Sequence, residues 1–229
     1  MIYIGIDDTD NLESRGTGWL ARAIAQDLSR DYAVVGVTRH QLLVDPRIPY
    51  TSHNSSAAIG VDGAGLVDLD ALFERVKTLL LAGIAYGSDP GLCVTDEATA
   101  RNYIEFGQQA QREVLTQGEA WALAEAHGTR LAGLGGSQDG VIGALAAVGL
   151  AACGEDGRYL LVGRSRDLAG LQAITTVKET GVCTVVTLDG QLVDQGLVLA
   201  DKLRPARRGG QPVLYVEWQT DHWQPLKLD

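Results

Sequence analysis

The first forty residues combine short apolar runs with one amphipathic segment. Residues 2–6 form a β-branched apolar run that stops at Asp7, which predicts a buried strand leading into a polar loop. In residues 17–28 apolar side chains recur at every fourth position, which predicts a helix with Thr17 as its N-cap. Residues 33–38 predict a second strand. This order of strand, helix and strand indicates an α/β (α+β) fold.

The same alternation continues through the chain, with glycines and prolines at the breaks. Further strands are predicted at 56–61, 129–134, 159–163, 182–188 and 213–218, and further helices at 66–82, 97–115, 119–127 and about 138–152. The break at Gly118 predicts two domains, residues 1–117 and 118–229. The order of elements in the second is close to the split β-α-β plan of ferredoxin-like domains. Its second helix is expected at 168–174 or 198–202.

The composition favours a globular protein and argues against a membrane-spanning, disulfide-rich or zinc-binding one. The 229 residues are 45% apolar and 21% charged, which is typical of a globular chain with a real core. The longest apolar stretch, residues 141–153, is shorter than the roughly 20 residues of a membrane span. The chain opens without a basic, signal-like segment, so we expect a cytoplasmic protein that does not contact membranes. Three isolated cysteines and four unclustered histidines predict neither a disulfide scaffold nor a zinc site.

An acidic cluster follows the first predicted strand. Asp7, Asp8 and Asp10 repel one another at this spacing, which costs stability unless a cation or hydrogen-bond donors lie among them. Mg²⁺ prefers a few carboxylates together with water and substrate phosphates, and ligands of α/β folds gather at the carboxyl ends of strands. The cluster therefore predicts a metal site with a catalytic role. The alternative is an acidic turn that ends the strand and faces water.

Two glycine-containing loops precede predicted helices and are candidate phosphate sites. Gly16, Thr17 and Gly18 can present backbone N–H groups and a hydroxyl to an anion beside the acidic cluster. Gly135 and Gly136 open the later helix in the same way, although the loop has neither a Rossmann fingerprint nor a Walker A sequence. For both loops the alternative is ordinary helix capping and turn packing.

A proline-rich loop is the third candidate region. Pro46 and Pro49 remove two backbone donors and fix two φ angles, so residues 45–50 form a shaped loop. We expect Tyr50, His53 and Asn54 to be polar groups held over a pocket by this loop, or otherwise to lie on the surface. No spacing indicates a serine or cysteine hydrolase.

These motifs together resemble a known family. The sequence contains, in order, GIDDTD at 5–10, RGT at 15–17, DPRIPYTSHNSSAAI at 45–59, SDPG at 88–91 and GSQDGVIGALAAVG at 136–149. In this order they resemble the N-terminal kinase-like and ferredoxin-like domains of the archaeal tRNA agmatinylcytidine synthetase family (TiaS-like). We expect the resemblance to cover essentially the whole chain.

The resemblance implies a function and a set of site residues. It implies an ATP-using, Mg²⁺-dependent core in which ATP activates a cytidine oxygen and an amine, agmatine, displaces the phosphate. It matches Asp7, Asp8 and Asp10 to the metal-binding acids, Gly16 to the glycine after them, and Asp89 to the substrate-binding SDPG motif. The family continues with Met-Cys-Thr-Thr-Tyr and a threonine implicated in phosphotransfer. Here Thr17 is the only candidate, and its alignment needs a gap.

Three functional hypotheses remain open at this stage. The first is an ATP-dependent ligase or kinase-like enzyme whose partners are a nucleotide and a small amine or nucleoside acceptor. The second is a non-catalytic nucleotide- or metabolite-binding module. The third is a tRNA-modifying enzyme that uses separate recognition chains. The formal charge of −10 disfavours tRNA, because affinity for nucleic acid comes largely from Lys and Arg.

Overall fold

A computed structural model describes residues 1–51, 53–63 and 67–228. Twelve strands are described: β1 Ile2–Asp7, β2 Val34–Gln41, β3 Ser55–Val61, β4 Gly91–Asp96, β5 Arg130–Gly133, β6 Arg158–Val162, β7 Leu171–Ala173, β8 Thr184–Val186, β9 Leu197–Leu199, β10 Ala206–Arg208, β11 Gln211–Trp218 and β12 Trp223–Pro225. The helices are α1 Thr17–Leu28, α2 Leu69–Gly83, α3 Glu97–Ala100, α4 Ile104–Ala110, α5 Gln117–Ala126, α6 Gly140–Cys153 and α7 Ile174–Glu179, with a 3₁₀ turn at Arg101–Tyr103. The mixed α/β class predicted from the sequence is confirmed.

The strands form one continuous sheet in the order β5-β4-β1-β3-β2-β6-β10-β11-β12-β9-β7, with β8 beside β11. From β5 to β12 each neighbouring pair on this path is antiparallel. The carboxyl end of β1 therefore lies beside the amino ends of β3 and β4 rather than among other carboxyl ends, as a parallel sheet would place it. Ser55 and Gly91 consequently flank the acidic residues that follow β1.

Alternation along β1 separates two cores on the two faces of the sheet. Ile2, Ile4 and Ile6 are buried against α1 and α2 on one face. Tyr3 is buried on the other face with α4, α5 and α6. The sheet is thus covered by helices on both sides. Successive side chains of a central strand point to opposite faces, and the apolar side chains on each face pack against the helices of that side.

Glycines let α6 approach the sheet very closely. A Cβ at Gly5 of β1 would overlap the backbone of Ala144 in α6, and a Cβ at Gly91 of β4 would overlap that of Gly140. Most residues of α6 are buried, and the helix ends at Gly154 in the left-handed conformation. This close approach holds the N-terminal end of α6 at the carboxyl end of β1.

The C-terminal part has a small core of its own, made by residues such as Ile174, Val185 and Leu214. The helix expected at 168–174 or 198–202 was wrongly placed. Residues 171–173 and 197–199 pair with each other as β7 and β9, and the helix is α7. Val198 of β9 is buried in this small core, while helix α7 begins only after Ala173.

The hydrogen-bonded sheet crosses the predicted domain boundary. β5 pairs with β4, and α6 packs against β1, so elements on both sides of Gly118 share one sheet. The division into 1–117 and 118–229, and the ferredoxin-like description of the second part, stay predictions. The predicted helix at 97–115 is divided by the turn at Arg101–Tyr103 and ends at Ala110. The predicted helix at 66–82 begins at Leu69, and Leu66 lies outside the described residues.

Among the described residues, no helix has both the length and the apolar character needed to cross a bilayer.

Candidate functional site

A cavity of about 510 Å³ lies at the carboxyl end of β1. It is bounded by the acidic loop, the proline-rich loop, the connection between α4 and α5, and the N-terminal end of α6. Its polar lining includes Asp7, Asp8, Asp10, Thr17, Arg47, Tyr50, Thr51, His53, Asn54, Ser55, Glu113 and Asp139. The structure therefore brings the three acids, Thr17 and the three proline-loop candidates to one cavity.

Asp7 is the last residue of β1, and its carboxylate lies against α6. A Cβ at Gly143 would overlap that carboxylate, so the glycine makes the space that Asp7 occupies. Burial, and then the neighbouring charge of Asp8, raise the pKa of Asp7 to about 8. Without a cation, Asp7 is mostly protonated at neutral pH.

Asp8 is strained as well as poorly solvated. Its φ is +48°, in the left-handed region that residues other than glycine rarely adopt. Burial, followed by the charges of Asp89, Asp10 and Asp139, raise the pKa of Asp8 to about 6. Strain and repulsion at one residue both cost folding free energy, and such costs concentrate at functional sites.

Asp10 and Thr17 form a hydrogen-bonded pair at the base of the cavity. The Thr17 hydroxyl donates to Asp10 Oδ1 at 2.9 Å and accepts from the Thr9 hydroxyl at 3.1 Å. Thr51 of the proline-rich loop donates to the other Asp10 oxygen at 3.1 Å. Thr17 is the first residue of α1 and not its N-cap; the N-cap is Gly16, with no side-chain hydrogen bond. The prediction of Thr17 as N-cap was wrong, since its hydroxyl is used by Asp10.

The proline-rich loop supplies one wall of the cavity. Arg47 donates two hydrogen bonds to Asp45, at 2.8 Å and 2.9 Å, and so stabilises the loop's bend. The Asn54 amide donates to the Leu43 carbonyl at 2.7 Å, which fixes the start of β3 to the loop. Tyr50 is 45% exposed, so its ring is available to a ligand. The loop thus leaves Tyr50 open, whereas the Asn54 amide already has a backbone partner.

The second predicted phosphate site holds a side chain of the protein itself. The Asp89 carboxylate accepts from the backbone N–H groups of Ser137 at 3.0 Å, Gln138 at 2.6 Å and Asp139 at 3.3 Å. A Cβ at Gly136 would overlap that carboxylate. These are the N–H groups that a phosphate would need, so Asp89 takes the ligand's place.

Neither the loop glycines nor Asp89 lie in the lining of the large cavity. Gly135 packs against Pro90, and Gly136 contacts Asp89. The structure therefore does not support Gly135 and Gly136 as cofactor-binding residues or Asp89 as a substrate-binding one. Instead, Asp89 orders the loop that begins α6 and adds negative charge beside Asp8.

A smaller cavity of about 260 Å³ adjoins the first. Gly16 and Gly18 line this second cavity rather than the large one, and Thr17 and Asp10 line both. The other lining residues include Arg22, Arg39 and Arg204. The predicted phosphate site at residues 16–18 thus lies between an acidic and a basic cavity.

The acidic side chains of the cavity suit a metal ion whose remaining coordination positions are filled by water and by the phosphate groups of a bound molecule. In the described residues, no group of three or more His, Cys, Asp or Glu side chains forms a complete metal-binding cluster. Mg²⁺ does not need one, because it usually binds one or two carboxylates together with water and substrate phosphates. Burial and neighbouring carboxylates raise the pKa values of Asp7 and Asp8, so ionising both costs free energy that a bound cation would offset. The residues present therefore suit Mg²⁺ bound together with a phosphorylated ligand.

Sequence reasoning missed several residues of the cavity. Asp139 and Glu113 add carboxylates, while Thr51 and Ser55 add hydroxyls. Thr51 and Ser55 flank the predicted His53 and Asn54, so extending that motif would have found them. Asp139 follows the glycine loop directly and was read only as part of it. Glu113 stands in a segment predicted to be helical and gave no signal.

Comparison with known proteins confirms the resemblance for part of the chain. The tRNA(Ile2) 2-agmatinylcytidine synthetase TiaS of Pyrococcus horikoshii is 29% identical over 152 residues, which is 65% of this chain and 35% of that protein. The same synthetase of Archaeoglobus fulgidus is 30% identical over 156 residues, again 65% and 35%. The chain thus spans about a third of the length of these relatives. The expectation that the resemblance covers essentially the whole chain is wrong for these matches.

Solved structures give the same result. A TiaS–tRNA(Ile2)–ATP complex matches with a TM-score of 0.56 and 28% identity, over 65% of this chain and 36% of that one. A tRNA fluorescent labeling enzyme matches with a TM-score of 0.57 and 29% identity, over 65% and 35%. No protein-family model matches the chain. Over 65% of its length, the chain is TiaS-like in sequence and in fold.

Proposed function

We propose that this chain is an ATP-dependent, Mg²⁺-assisted enzyme that transfers a phosphoryl group or ligates an amine. The observation that carries the proposal is the meeting of Asp7, Asp8, Asp10 and Thr17 at one cavity of a TiaS-like chain. Related proteins have been crystallised as a TiaS–tRNA(Ile2)–ATP complex and a TiaS–tRNA(Ile2)–AMPCPP–agmatine complex. Those names support ATP as the nucleotide and an amine as one substrate class.

Asp7 and Asp8 would hold Mg²⁺ on the nucleotide. The ion would supply positive charge to the phosphate oxygens, which is most of what catalysis of phosphoryl transfer requires. At pH 7 binding would displace the proton that Asp7 carries, since the pKa of Asp7 is about 8, whereas Asp8, with a pKa of about 6, is already mostly ionised. Nucleotide binding should therefore release protons at pH 7 and tighten as the pH rises.

Asp10 and Thr17 would serve the transfer step. The Thr17 hydroxyl donates a hydrogen bond to an Asp10 oxygen at 2.9 Å, which is within the reach that a general base needs. Asp10 is held in place from its other side by Thr51. We therefore assign Thr17 as the phosphoacceptor, or as the hydroxyl that orients the transferred phosphate, and Asp10 as its base.

Two further readings remain as alternatives. tRNA as the acceptor is favoured by the relatives' complexes and disfavoured by the charge of −10. A non-catalytic binding module would retain the cavity without turnover. The left-handed Asp8 and the hydrogen bond from Thr17 to Asp10 favour the enzyme, because simple binding requires neither feature.

Incubation of the protein with Mg²⁺ and radiolabelled ATP tests the proposal. Reactions with and without agmatine and bulk tRNA would be resolved for AMP, ADP, pyrophosphate and labelled protein. We expect turnover that is lost in Asp8→Asn and retained in Glu125→Gln, an exposed helix residue outside the cavity. Labelled protein that is retained in Thr17→Ser but lost in Thr17→Val would identify Thr17 as the acceptor. Binding of ATP without turnover in every reaction would support the binding module instead.

A further inference from the structure

The cavity next to the acidic site is basic, although the chain as a whole carries a charge of −10. Arg22 comes from α1, Arg39 from β2, and Arg204 from the connection between β9 and β10. The two cavities share Asp10 and Thr17 among their lining residues. Three guanidinium groups from distant parts of the chain therefore meet beside the proposed transfer site.

Sheet register adds a fourth arginine. Arg39 and Arg158 lie directly opposite each other on the antiparallel strands β2 and β6. Residues paired in this way point to the same face of a sheet. Arg39 donates to the Ser55 hydroxyl at 3.0 Å and to the Gln41 side chain at 2.8 Å. Arg158 therefore lies beside Arg39, which lines the basic cavity.

Two arginines at or near the cavity, Arg166 and Arg204, donate hydrogen bonds to backbone carbonyls in the described residues. Arg166 donates to the Leu160 carbonyl at 2.8 Å, and Arg204 donates to the Leu203 carbonyl at 3.2 Å. One terminal nitrogen of Arg166 is buried without a hydrogen-bond partner. Across the parts of the chain that the structure describes, neither of them, nor Arg22, forms an ion pair with a carboxylate.

Burial and mutual repulsion lower the pKa values of the arginines in this cluster. Burial, and then the charges of Arg204 and Arg22, lower the pKa of Arg166 to about 10. Burial, and then the charges of Arg22 and Arg158, lower the pKa of Arg204 to about 10. Lys227 adds a further positive group, whose pKa is lowered by the charge of Arg158 and by burial. Such a cluster is stabilised by a bound anion.

The N-terminus of α1 lies in the same cavity. This helix has 12 residues, its N-cap Gly16 makes no side-chain hydrogen bond, and Gly16, Thr17 and Gly18 line the cavity. The N-terminus of a helix attracts anions through its free N–H groups and its dipole. An uncapped helix end and a set of arginines are independent features, and both favour a phosphate group.

We propose that the basic cavity binds the phosphate group of the acceptor, and that the acceptor is a small phosphate ester. Its volume of about 260 Å³ suits a phosphate or diphosphate group with little else. A nucleic-acid backbone needs an extended basic surface, which the acidic balance of the chain disfavours. A triphosphate neutralised by Mg²⁺ at Asp7 and Asp8 does not require a second set of positive charges. The shared Asp10 and Thr17 then bring the acceptor next to the nucleotide. This inference rests on the proposed function for the acceptor's role, but not for the binding of phosphate.

Calorimetric titration with inorganic pyrophosphate in EDTA tests the basic cavity by itself. Without a metal, the acidic cavity repels this probe, so binding reports the arginines. We expect Arg22→Gln and Arg204→Gln each to weaken binding by about tenfold or more. The matched control is Arg30→Gln, because Arg30 is exposed just after α1 and pairs with Asp27. Arg22→Lys, which keeps the charge, should retain part of the affinity, and thermal melting should show that each variant folds.

Competition experiments identify the source of the phosphate. Pyrophosphate should still bind when the acidic cavity is saturated with Mg²⁺ and a non-hydrolysable ATP analogue. Loss of pyrophosphate binding under those conditions would overturn the proposal, because the cavity would then belong to the nucleotide's own phosphates. Binding of a short RNA that depends on Arg22 and excludes pyrophosphate would overturn it in favour of a nucleic acid. No pyrophosphate binding, or binding that is unchanged in Arg22→Gln, would also overturn it, whether or not ATP is turned over.

Discussion

Replacing Asp7 with asparagine should stabilise the metal-free protein while removing nucleotide binding. The pKa of Asp7 is raised from 3.8 to about 8, chiefly by burial. Each pKa unit corresponds to about 1.4 kcal/mol, so ionised Asp7 lowers the free energy of unfolding by at most about 6 kcal/mol at pH 8.5. The sign follows from proton binding. Between about pH 4 and 8 the folded state retains a proton that the unfolded chain has lost, so stability falls as the pH rises through this range. Asparagine has the shape of protonated Asp7 and cannot ionise.

Urea unfolding in EDTA at pH 4, 7 and 8.5 measures this effect. We expect the free energy of unfolding of Asp7→Asn to match that of the unmodified protein at pH 4 and to exceed it by about 1–6 kcal/mol at pH 8.5. Glu125→Gln, at an exposed position of α5, controls for the loss of one negative charge. Added Mg²⁺ and ATP analogue should stabilise the unmodified protein and leave Asp7→Asn unchanged. A variant less stable than the unmodified protein at pH 8.5 would refute the reasoning, because the carboxylate would then be favourable to the empty fold.

Three other variants test individual contacts: two beside the acidic cavity and one elsewhere in the fold. Gly143→Ala should fold but displace the Asp7 carboxylate, which its Cβ would overlap; calorimetry should show the loss of Mg²⁺·ATP binding, and retained binding would contradict the contact. Asp89→Ala removes the acceptor of three backbone N–H groups and should cost about 1–3 kcal/mol in urea unfolding, with faster hydrogen exchange of amides 137–139. Burial is the largest single influence on Asp156 and opposes its ionisation, but the interactions with fully buried His40, the hydrogen bond from Gln111 and the charge of Arg208 together lower its pKa. Asp156→Asn should therefore cost about 1–3 kcal/mol at pH 7, and the difference should shrink as the pH falls below about 4; an equal cost at both pH values would contradict the ionic contribution.

Local periodicity predicted the central elements well. The apolar spacing of residues 17–28 gave both ends of α1, and the β-branched run gave β1. The acidic string was predicted to be a metal site, and the proline-rich loop was predicted separately to hold polar groups over a pocket. The structure places both in the lining of one cavity. Elements whose own apolar pattern decides their burial can be found from sequence alone.

Long-range contacts account for what sequence reasoning missed. Asp89 fills the loop before α6 from 48 to 50 positions away, so a loop that looks open to phosphate in the sequence is occupied. The pairing of β5 with β4 brings α6, which follows β5, onto the sheet that contains β1, although Gly118 looks like a domain boundary in the sequence. Arg22 and Arg39 are isolated in the sequence, and Arg204 belongs to the basic segment RPARR at 204–208. The net acidic charge gives no sign of the basic cavity that these three arginines line.

A crystal structure with Mg²⁺ and a non-hydrolysable ATP analogue tests the central claim most directly. We expect the ion to bind oxygens of Asp7 or Asp8 at about 2.1 Å and the triphosphate to lie in the cavity of about 510 Å³, beside Thr17. The basic cavity should remain free of the nucleotide's phosphates. A nucleotide bound elsewhere, or bound in this cavity without a metal on either carboxylate, would contradict the assignment of the acidic cluster.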